Sequence, residues 1–290
     1  MSVNLSSPSQ VRDLLRRLDF QPSRVLGQNF LIDGNTLRIM VDLVGATSGD
    51  IVLEVGPGLG VLTAPLLERA QRVIAVEKDR RLFEHLHTRF TGVDALTLVH
   101  GDILEILPAQ KLLGQITKVA SNLPYSIAGR FLVDLSLASP PPPLAVLTVQ
   151  QEVADRITAA HGVKAYGALS VFLQTAFRVR THRTVPPSCF FPRPQVQSAI
   201  VVLERREEAK GRDPSAGTFR QLVRHAFSQR RKQLAVLLSR APGSLRLPKE
   251  EAIAELQAMG LKADARPEEV APEGWLDLAR RLAARNADPP

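Results

Sequence analysis

Apolar positions along this 290-residue chain repeat with two different periods. Short runs rich in β-branched residues recur near residues 51–55, 73–77, 96–99, 116–121 and 144–150, and each ends in polar or glycine-containing sequence. Helical spacing fills the intervals. Val11, Leu14, Leu15 and Leu18 predict a helix over Pro8–Leu18, with Ser7 suited to cap it and Pro8 to its first turn. Gly27 to Asp33 reads as a loop entering a helix that runs to Val44, and Val61 to Leu67 as a helix leaving a glycine-rich turn. Leu169, Phe172, Leu173, Ala176 and Phe177 form one apolar helical face, and Val179–Val185 and Ala199–Leu203 read as closing strands. Strands alternating with helices predict an α/β fold, a doubly wound and mostly parallel sheet with helices on both faces. Pro140 to Pro143 make a stiff spacer into the fifth strand.

After Glu204 the strand period disappears. Glu207 to Gly217 is polar with Gly and Pro, the composition of a linker. Beyond it lie only helical patterns: Phe219–Ser228, Gln233–Ser239, Lys249–Met259 and Gly274–Ala284. Gly260 suits a helix C-cap, and Trp275, Leu278 and Leu282 suit core contacts. The expected division is a domain over 1–207, including the N-terminal helical segment, and a small all-helical domain over 208–290.

Candidate chemistry gathers at the strand ends. The first strand, Ile51 to Val55, runs into Gly56-Pro57-Gly58-Leu59-Gly60, a turn that lets a ligand approach the backbone. The dinucleotide fingerprint requires a glycine where this chain has Val61, which argues against a nicotinamide cofactor. The second strand ends at Glu77-Lys78, with the acid roughly 20 residues after the first glycine, where a ribose diol is commonly held. The third leads to Asp102-Ile103, an acceptor for an adenine amine beside an apolar flank for its ring. The fourth ends in Ser121-Asn122-Leu123-Pro124-Tyr125. Asn122 offers an amide oxygen to an exocyclic amine, Pro124 has no N–H and restricts the turn, and Tyr125 offers a stacking face. Each acid taken singly is as well explained by a helix N-cap or a solvated loop end. An Asn-x-Pro taken singly is usually a turn.

Taken in order, Gln28-Asn29-Phe30-Leu31, Glu54 to Gly60, Glu77, Gly101-Asp102, Asn122 to Tyr125 and Phe190 to Ser198 resemble the rRNA adenine N6-dimethyltransferases, in particular the type acting on small-subunit rRNA. The resemblance extends from about Gln21 to Arg281. It implies a Class I S-adenosylmethionine-dependent methyltransferase fold, Rossmann-like, with a helical C-terminal domain that docks RNA. It implies S-adenosylmethionine as cofactor, held by Gln28, Asn29, Leu31, Gly56, Gly58, Glu77, Lys78, Asp102, Ile103 and Asn122. Asn122, Pro124, Tyr125 and Phe190 would serve methyl transfer, the two rings by stacking on the base. The implied partner is small-subunit rRNA in an assembling 30S-type particle, two adjacent adenosines being dimethylated by a monomer. The family pattern usually has Lys, Asp and Thr where this chain has Gln195, Gln197 and Gln233. The related large-subunit methyltransferases of the antibiotic-resistance type typically carry Ile where this chain has Leu123. A binding role on a retained methyltransferase fold, in ribosome assembly or transcription, is the non-enzymatic alternative.

Composition narrows the surroundings. No apolar run approaches the roughly 20 residues of a membrane span, and the first residues, Met1 to Asn4, do not read as a secretory signal. Cys189 is the single cysteine, which rules out an intrachain disulfide and fits a reducing cytoplasm. The six histidines show no metal-ligand spacing, so no metal is expected. The net charge of +8 favours a polyanionic partner. Its densest run is Arg230-Arg231-Lys232, with Arg224 upstream, and these four are the expected RNA contacts. Arg178, Arg180, His182 and Arg183 form a second cluster, and Arg280, Arg281 and Arg285 read as a solvated face.

Overall fold

A computed structural model describes residues 8–23, 26–109, 114–210 and 215–287; Ser7 and part of the expected linker lie outside them. The elements in chain order are α1 (Pro8–Arg17), β1 (Phe30–Leu31), α2 (Gly34–Val44), β2 (Ile51–Val55), α3 (Thr63–Leu67), β3 (Arg72–Glu77), α4 (Arg80–Arg89), β4 (Leu96–His100), α5 (Ile103–Ala109), β5 (Lys118–Asn122), α6 (Ala128–Ser136), β6 (Leu144–Gln150) and α7 (Gln151–Thr158). They continue with α8 (Ala168–Ala176), β7 (Phe177–Val185), β8 (Phe190–Phe191), β9 (Ser198–Arg205), α9 (Ala216–Ser228), α10 (Leu234–Ser239), α11 (Lys249–Ala258) and α12 (Pro272–Ala287).

Two compact units result. The first comprises Met1–Ala154 and Arg178–Arg205. Its sheet has the order β4-β3-β2-β5-β6-β9-β7. The pairs β2–β3, β3–β4, β2–β5 and β5–β6 are parallel, and β9 joins β6 antiparallel. The chain steps outward from β2 to β4, then crosses back to place β5 on the other side of β2. That reversal opens a crevice at the carboxyl ends of β2 and β5, the usual ligand position in an open α/β sheet. Central strands are buried on both faces, which is why they read as continuous apolar runs: Val52, Leu53, Val73, Ala75, Val119, Val146 and Val202 are all 0–1 % exposed. α2 is capped at its start by Asp33, whose carboxylate accepts from Thr36 N at 2.6 Å, and at its end by Gly45 in the left-handed region.

The second unit comprises Asp155–Phe177 and Arg206–Pro290. This differs from a single cut at 207, because α8 belongs with the C-terminal helices. Its apolar face packs on α9 and α12, with the Phe172 and Phe219 rings 5.5 Å apart. Periodicity marks a face as apolar but does not say which partner covers it. Phe177, expected at the end of that helix, instead opens β7. Tyr166, Phe227 and Trp275 form a ring cluster, and the Tyr166 hydroxyl donates to Val270 O at 2.9 Å. Trp275, Leu278 and Leu282 are core residues, at most 1 % exposed.

Candidate active site

A cleft of about 330 Å³ lies in the first unit at the reversal point. Its walls come from the loop before β1, the glycine turn after β2, and the residues following β3, β4 and β5. Ser121 Oγ donates to Val55 O at 2.6 Å, stitching the end of β5 to the end of β2 just below it. The Asn-Leu-Pro-Tyr segment is then clasped from two sides. A Cβ on Gly56, where φ is +63°, would lie 2.8 Å from Pro124 Cγ, so the glycine turn accepts the proline ring directly against its backbone. A Cβ on Gly27 would lie 2.9 Å from Ser126 N, and Ser126 Oγ donates to Leu26 O at 3.0 Å.

Asn122 has a defined polarity. Its Nδ2 donates to the backbone carbonyl of Asn29 at 2.7 Å. A carbonyl can only accept, so the amide nitrogen must face it. Oδ1 is left buried with no protein partner among the described residues. A buried acceptor without a partner costs about 1–3 kcal/mol, which a donor from a ligand would relieve. Pro124 O already accepts from Ile127 N at 3.2 Å and retains its second lone pair. Tyr125 is half-buried on the cleft wall, and burial pushes its phenol above the ordinary value although a hydrogen bond with Ser198 opposes the shift.

Two acids lie on the cleft floor. Glu77 is 5 % exposed. Its carboxylate accepts from Gly58 N at 3.0 Å and Asp79 N at 2.9 Å, so it shapes the glycine turn as well as facing the cleft. Burial pushes its carboxyl above the usual range, against those two backbone donors. Glu54, which the strand pattern presents as a plain core position, is 2 % exposed and also lines the cleft. Burial, reinforced by the Glu77 charge, pushes it up to about 8, and its Oε2 has no partner among the described residues. An acid in the middle of an otherwise apolar strand was the available signal for it.

Asp102 caps α5 by accepting from Leu104 N at 2.9 Å and pairs with Lys78 Nζ at 2.8 Å. Burial would raise its carboxyl, but these hydrogen bonds and the charges of Lys78 and Arg130 outweigh it and hold it below the ordinary value. Lys78 is thus joined to Asp102, and both line the cleft beside the buried Ile103. Gln28 lines it as well, while its Oε1 accepts from Ser23 N at 2.7 Å and closes the preceding turn. Leu31 supplies an apolar wall. The lining suits a nucleoside-bearing cofactor: a glycine turn without side chains, two acids for hydroxyl or ammonium donors, an apolar flank, and unpartnered acceptors inside.

A family model described as ribosomal RNA adenine dimethylase matches residues 20–283. The chain belongs to that family. It is 43 % identical over 283 residues to the ribosomal RNA small subunit methyltransferase A of Opitutus terrae, covering 95 % of this chain and 98 % of the relative. It is 38 % identical over 250 residues to the protein of that name from Natranaerobius thermophilus, covering 80 % and 83 %. Among solved structures it is similar to a dimethyladenosine transferase from Plasmodium falciparum, with a TM-score of 0.75, 24 % identity and coverage of 89 % and 98 %, a likeness of fold. It is also similar to the 23S rRNA methyltransferase ErmE, with a TM-score of 0.64, 28 % identity and coverage of 88 % and 100 %. The fold is that of the Class I methyltransferases, a group that uses S-adenosylmethionine.

Within this member of the ribosomal RNA adenine dimethylase family, Gln28, Asn29, Leu31, Gly56, Gly58, Glu77, Lys78, Asp102, Ile103, Asn122, Pro124 and Tyr125 meet in one cleft. Phe190 does not. It pairs with Leu31 in the two-stranded β1–β8 ladder and is 1 % exposed in the core, so its ring is not presented for stacking. The adjacent Phe191 is partly exposed; strand alternation turns the two rings to opposite faces. Burial pushes the Cys189 thiol up, which suits a packed thiol rather than a nucleophile.

The basic run also differs from expectation. Arg230 donates to Lys164 O at 3.1 Å and lies 4.0 Å from Glu268, so it is used inside the helical unit. Arg224, Arg231 and Lys232 are exposed, with no acidic partner among the described residues. Phe227 is a core contact of the ring cluster, not a base-stacking platform. No helix among the described residues is long and apolar enough to cross a membrane, and no cluster of His, Cys, Asp or Glu that could hold a metal occurs among them.

Proposed function

We propose that this protein dimethylates N6 of two adjacent adenosines in a small-subunit rRNA hairpin, using S-adenosylmethionine, during assembly of the small subunit. The observation that carries this reading is the buried, unpartnered Oδ1 of Asn122, fixed in orientation by the Asn29 carbonyl. Relatives named ribosomal RNA small subunit methyltransferase A support the choice of rRNA.

S-adenosylmethionine, when bound, supplies an electrophilic methyl group on a sulfonium. Glu77 would hold its ribose diol, Asp102 and Ile103 its adenine, and the turn at Gly56 and Gly58 would give it close access to backbone. Gln28, Asn29 and Leu31 would close the opposite wall, and Lys78 would keep the Asp102 carboxylate ionised. Ribose hydroxyl donors favour the charged form of Glu77 and so offset the effect of its burial.

The target nitrogen is a weak nucleophile because its lone pair is delocalised into the adenine ring. Asn122 Oδ1 accepts one amine hydrogen and a backbone carbonyl beside Pro124 can accept the other, which favours a pyramidal nitrogen with an available lone pair. Tyr125 stacks on the base after it leaves its helix. Positioning is the main contribution and electrostatics the second. No group needs to deprotonate the neutral amine first, because the proton leaves more easily once nitrogen has become cationic. Arg224, Arg231 and Lys232 contact backbone phosphates, which bind without reading sequence.

The test is transfer of labelled methyl groups to ribosomal particles from cells lacking the gene, followed by mass spectrometry of each rRNA. N6,N6-dimethyladenosine at two adjacent positions of small-subunit rRNA is the expected result. Methylation of large-subunit rRNA, or none, would overturn the reading.

A further inference from the structure

Tyr125 is held at both ends. Its backbone sits in the clasp formed by Gly56, Gly27 and Ser126. Its hydroxyl shares a short hydrogen bond with the Ser198 hydroxyl, 73 residues away in sequence. Ser198 is 0 % exposed, and its hydroxyl has no other partner among the described residues. Ser198 is also fixed. It is the first residue of β9, opposite Gln150 of β6, and the neighbouring Gln197 O accepts from Gln151 N at 2.9 Å. The phenol is therefore tied to β9, a strand paired antiparallel with β6 inside the sheet, not to a loop.

A tyrosine ring has two side-chain torsions, and stacking depends on the plane that they set. The clasp fixes the Cα position but leaves the ring free to turn. A hydrogen bond at its far end removes that freedom before the base arrives, so less ordering remains for the binding step.

We propose that Ser198 is a positioning residue for methyl transfer, its hydroxyl holding the Tyr125 ring in the plane that receives the target adenine. This rests on the function proposed above. Ser198 closes the Phe190–Ser198 segment, so that segment would act through this hydroxyl on the Asn122–Tyr125 segment rather than through the Phe190 ring.

The experiment compares Ser198→Ala, Tyr125→Phe and the double variant, reading single-turnover methyl transfer to small-subunit particles and cofactor affinity by calorimetry. Each single change removes one side of the hydrogen bond and keeps the ring. Each is expected to slow transfer roughly three- to tenfold, the equivalent of one net hydrogen bond, with cofactor affinity unchanged. The double variant should be no slower than the slower single variant, since both remove the same interaction. A second readout is optical. Tyr125 and Tyr166 are the only tyrosines in the chain, and loss of the Ser198 hydroxyl should move the Tyr125 titration to higher pH, because that bond favours the phenolate. A Ser198→Ala rate equal to the parent's, or losses that add in the double variant, would overturn the proposal. If Ser198→Ala fails to fold, an unchanged rate in Tyr125→Phe overturns it alone. A parent protein that transfers no methyl group would instead overturn the proposed function, and a tyrosine titration unmoved by Ser198→Ala would then decide against the hydroxyl link independently.

Discussion

The cleft and the basic run were equally visible as motifs, yet the structure treats them differently. In the cleft Asn122, Glu77 and Asp102 are each held by a partner of known direction. The Asn29 carbonyl orients Asn122, Gly58 and Asp79 orient Glu77, and Lys78 and Leu104 orient Asp102. In the run Arg230 to Lys232, Arg230 is turned inward to Lys164 and Glu268, while its two neighbours stand in solvent. Groups that do chemistry need fixed geometry and so are buried and over-determined. Groups that meet phosphates need only charge and reach, and one member of such a run can be diverted to hold its own domain together.

The sharpest way to break this contrast is at Asn122. Asn122→Ala should slow single-turnover methyl transfer by on the order of 10²-fold or more, the cost of losing alignment at the reacting nitrogen, with little change in cofactor affinity. A rate equal to the parent's would remove Asn122 from the chemistry. Next in size is Glu77→Ala. It should weaken S-adenosylmethionine binding by about 1.5–3 kcal/mol, the worth of a hydrogen bond to a charged group, and the freed Gly58 N–H can add to that loss. Unchanged calorimetric affinity in a folded variant would mean that Glu77 only shapes the turn.

On the other side of the contrast, Arg231→Ala with Lys232→Ala should weaken binding to the rRNA particle and flatten its salt dependence by roughly 0.7–0.9 log units per lost phosphate contact. Arg230→Ala should instead lower the melting temperature slightly, since its ion pair is partly exposed and its hydrogen bond to Lys164 O is internal. Equal salt slopes in all three single variants would erase the distinction.

A further difference concerns pH. The folded state raises the Glu54 carboxyl from 4.5 to about 8. Between those values the folded protein keeps a proton that the unfolded chain releases, so this group makes stability fall as pH rises through that window. Glu54→Gln should flatten the slope of stability against pH there, as read by chemical denaturation of the cofactor-free protein. An unchanged slope would show that Glu54 is not held protonated.

Much of this was legible in residue order. Strand ends carrying Gly56, Glu77, Asp102 and Asn122 predict a single ligand crevice, because parallel strands bring their carboxyl ends to one edge. The helical C-terminal region was legible from its change of period. Three things were not. Glu54 is conspicuous as an acid in an apolar strand buried on both faces, but the order of residues does not show that it faces the cleft. Phe190 and Phe191 are adjacent aromatic residues in one motif, and only the β1–β8 register shows which ring is buried. The membership of α8 in the second unit depends on a packing partner more than forty residues away, Phe219 against Phe172.

The sequence by itself determined the periods, the strand-end motifs and the family, since those depend on local geometry and residue chemistry. The tertiary structure alone decided the polarity of the Asn122 amide, the diversion of Arg230 and the tie between Tyr125 and Ser198. Each of these depends on a partner tens of residues away, and direction and distance at such a partner are set by how the chain packs, not by the order in which its residues occur.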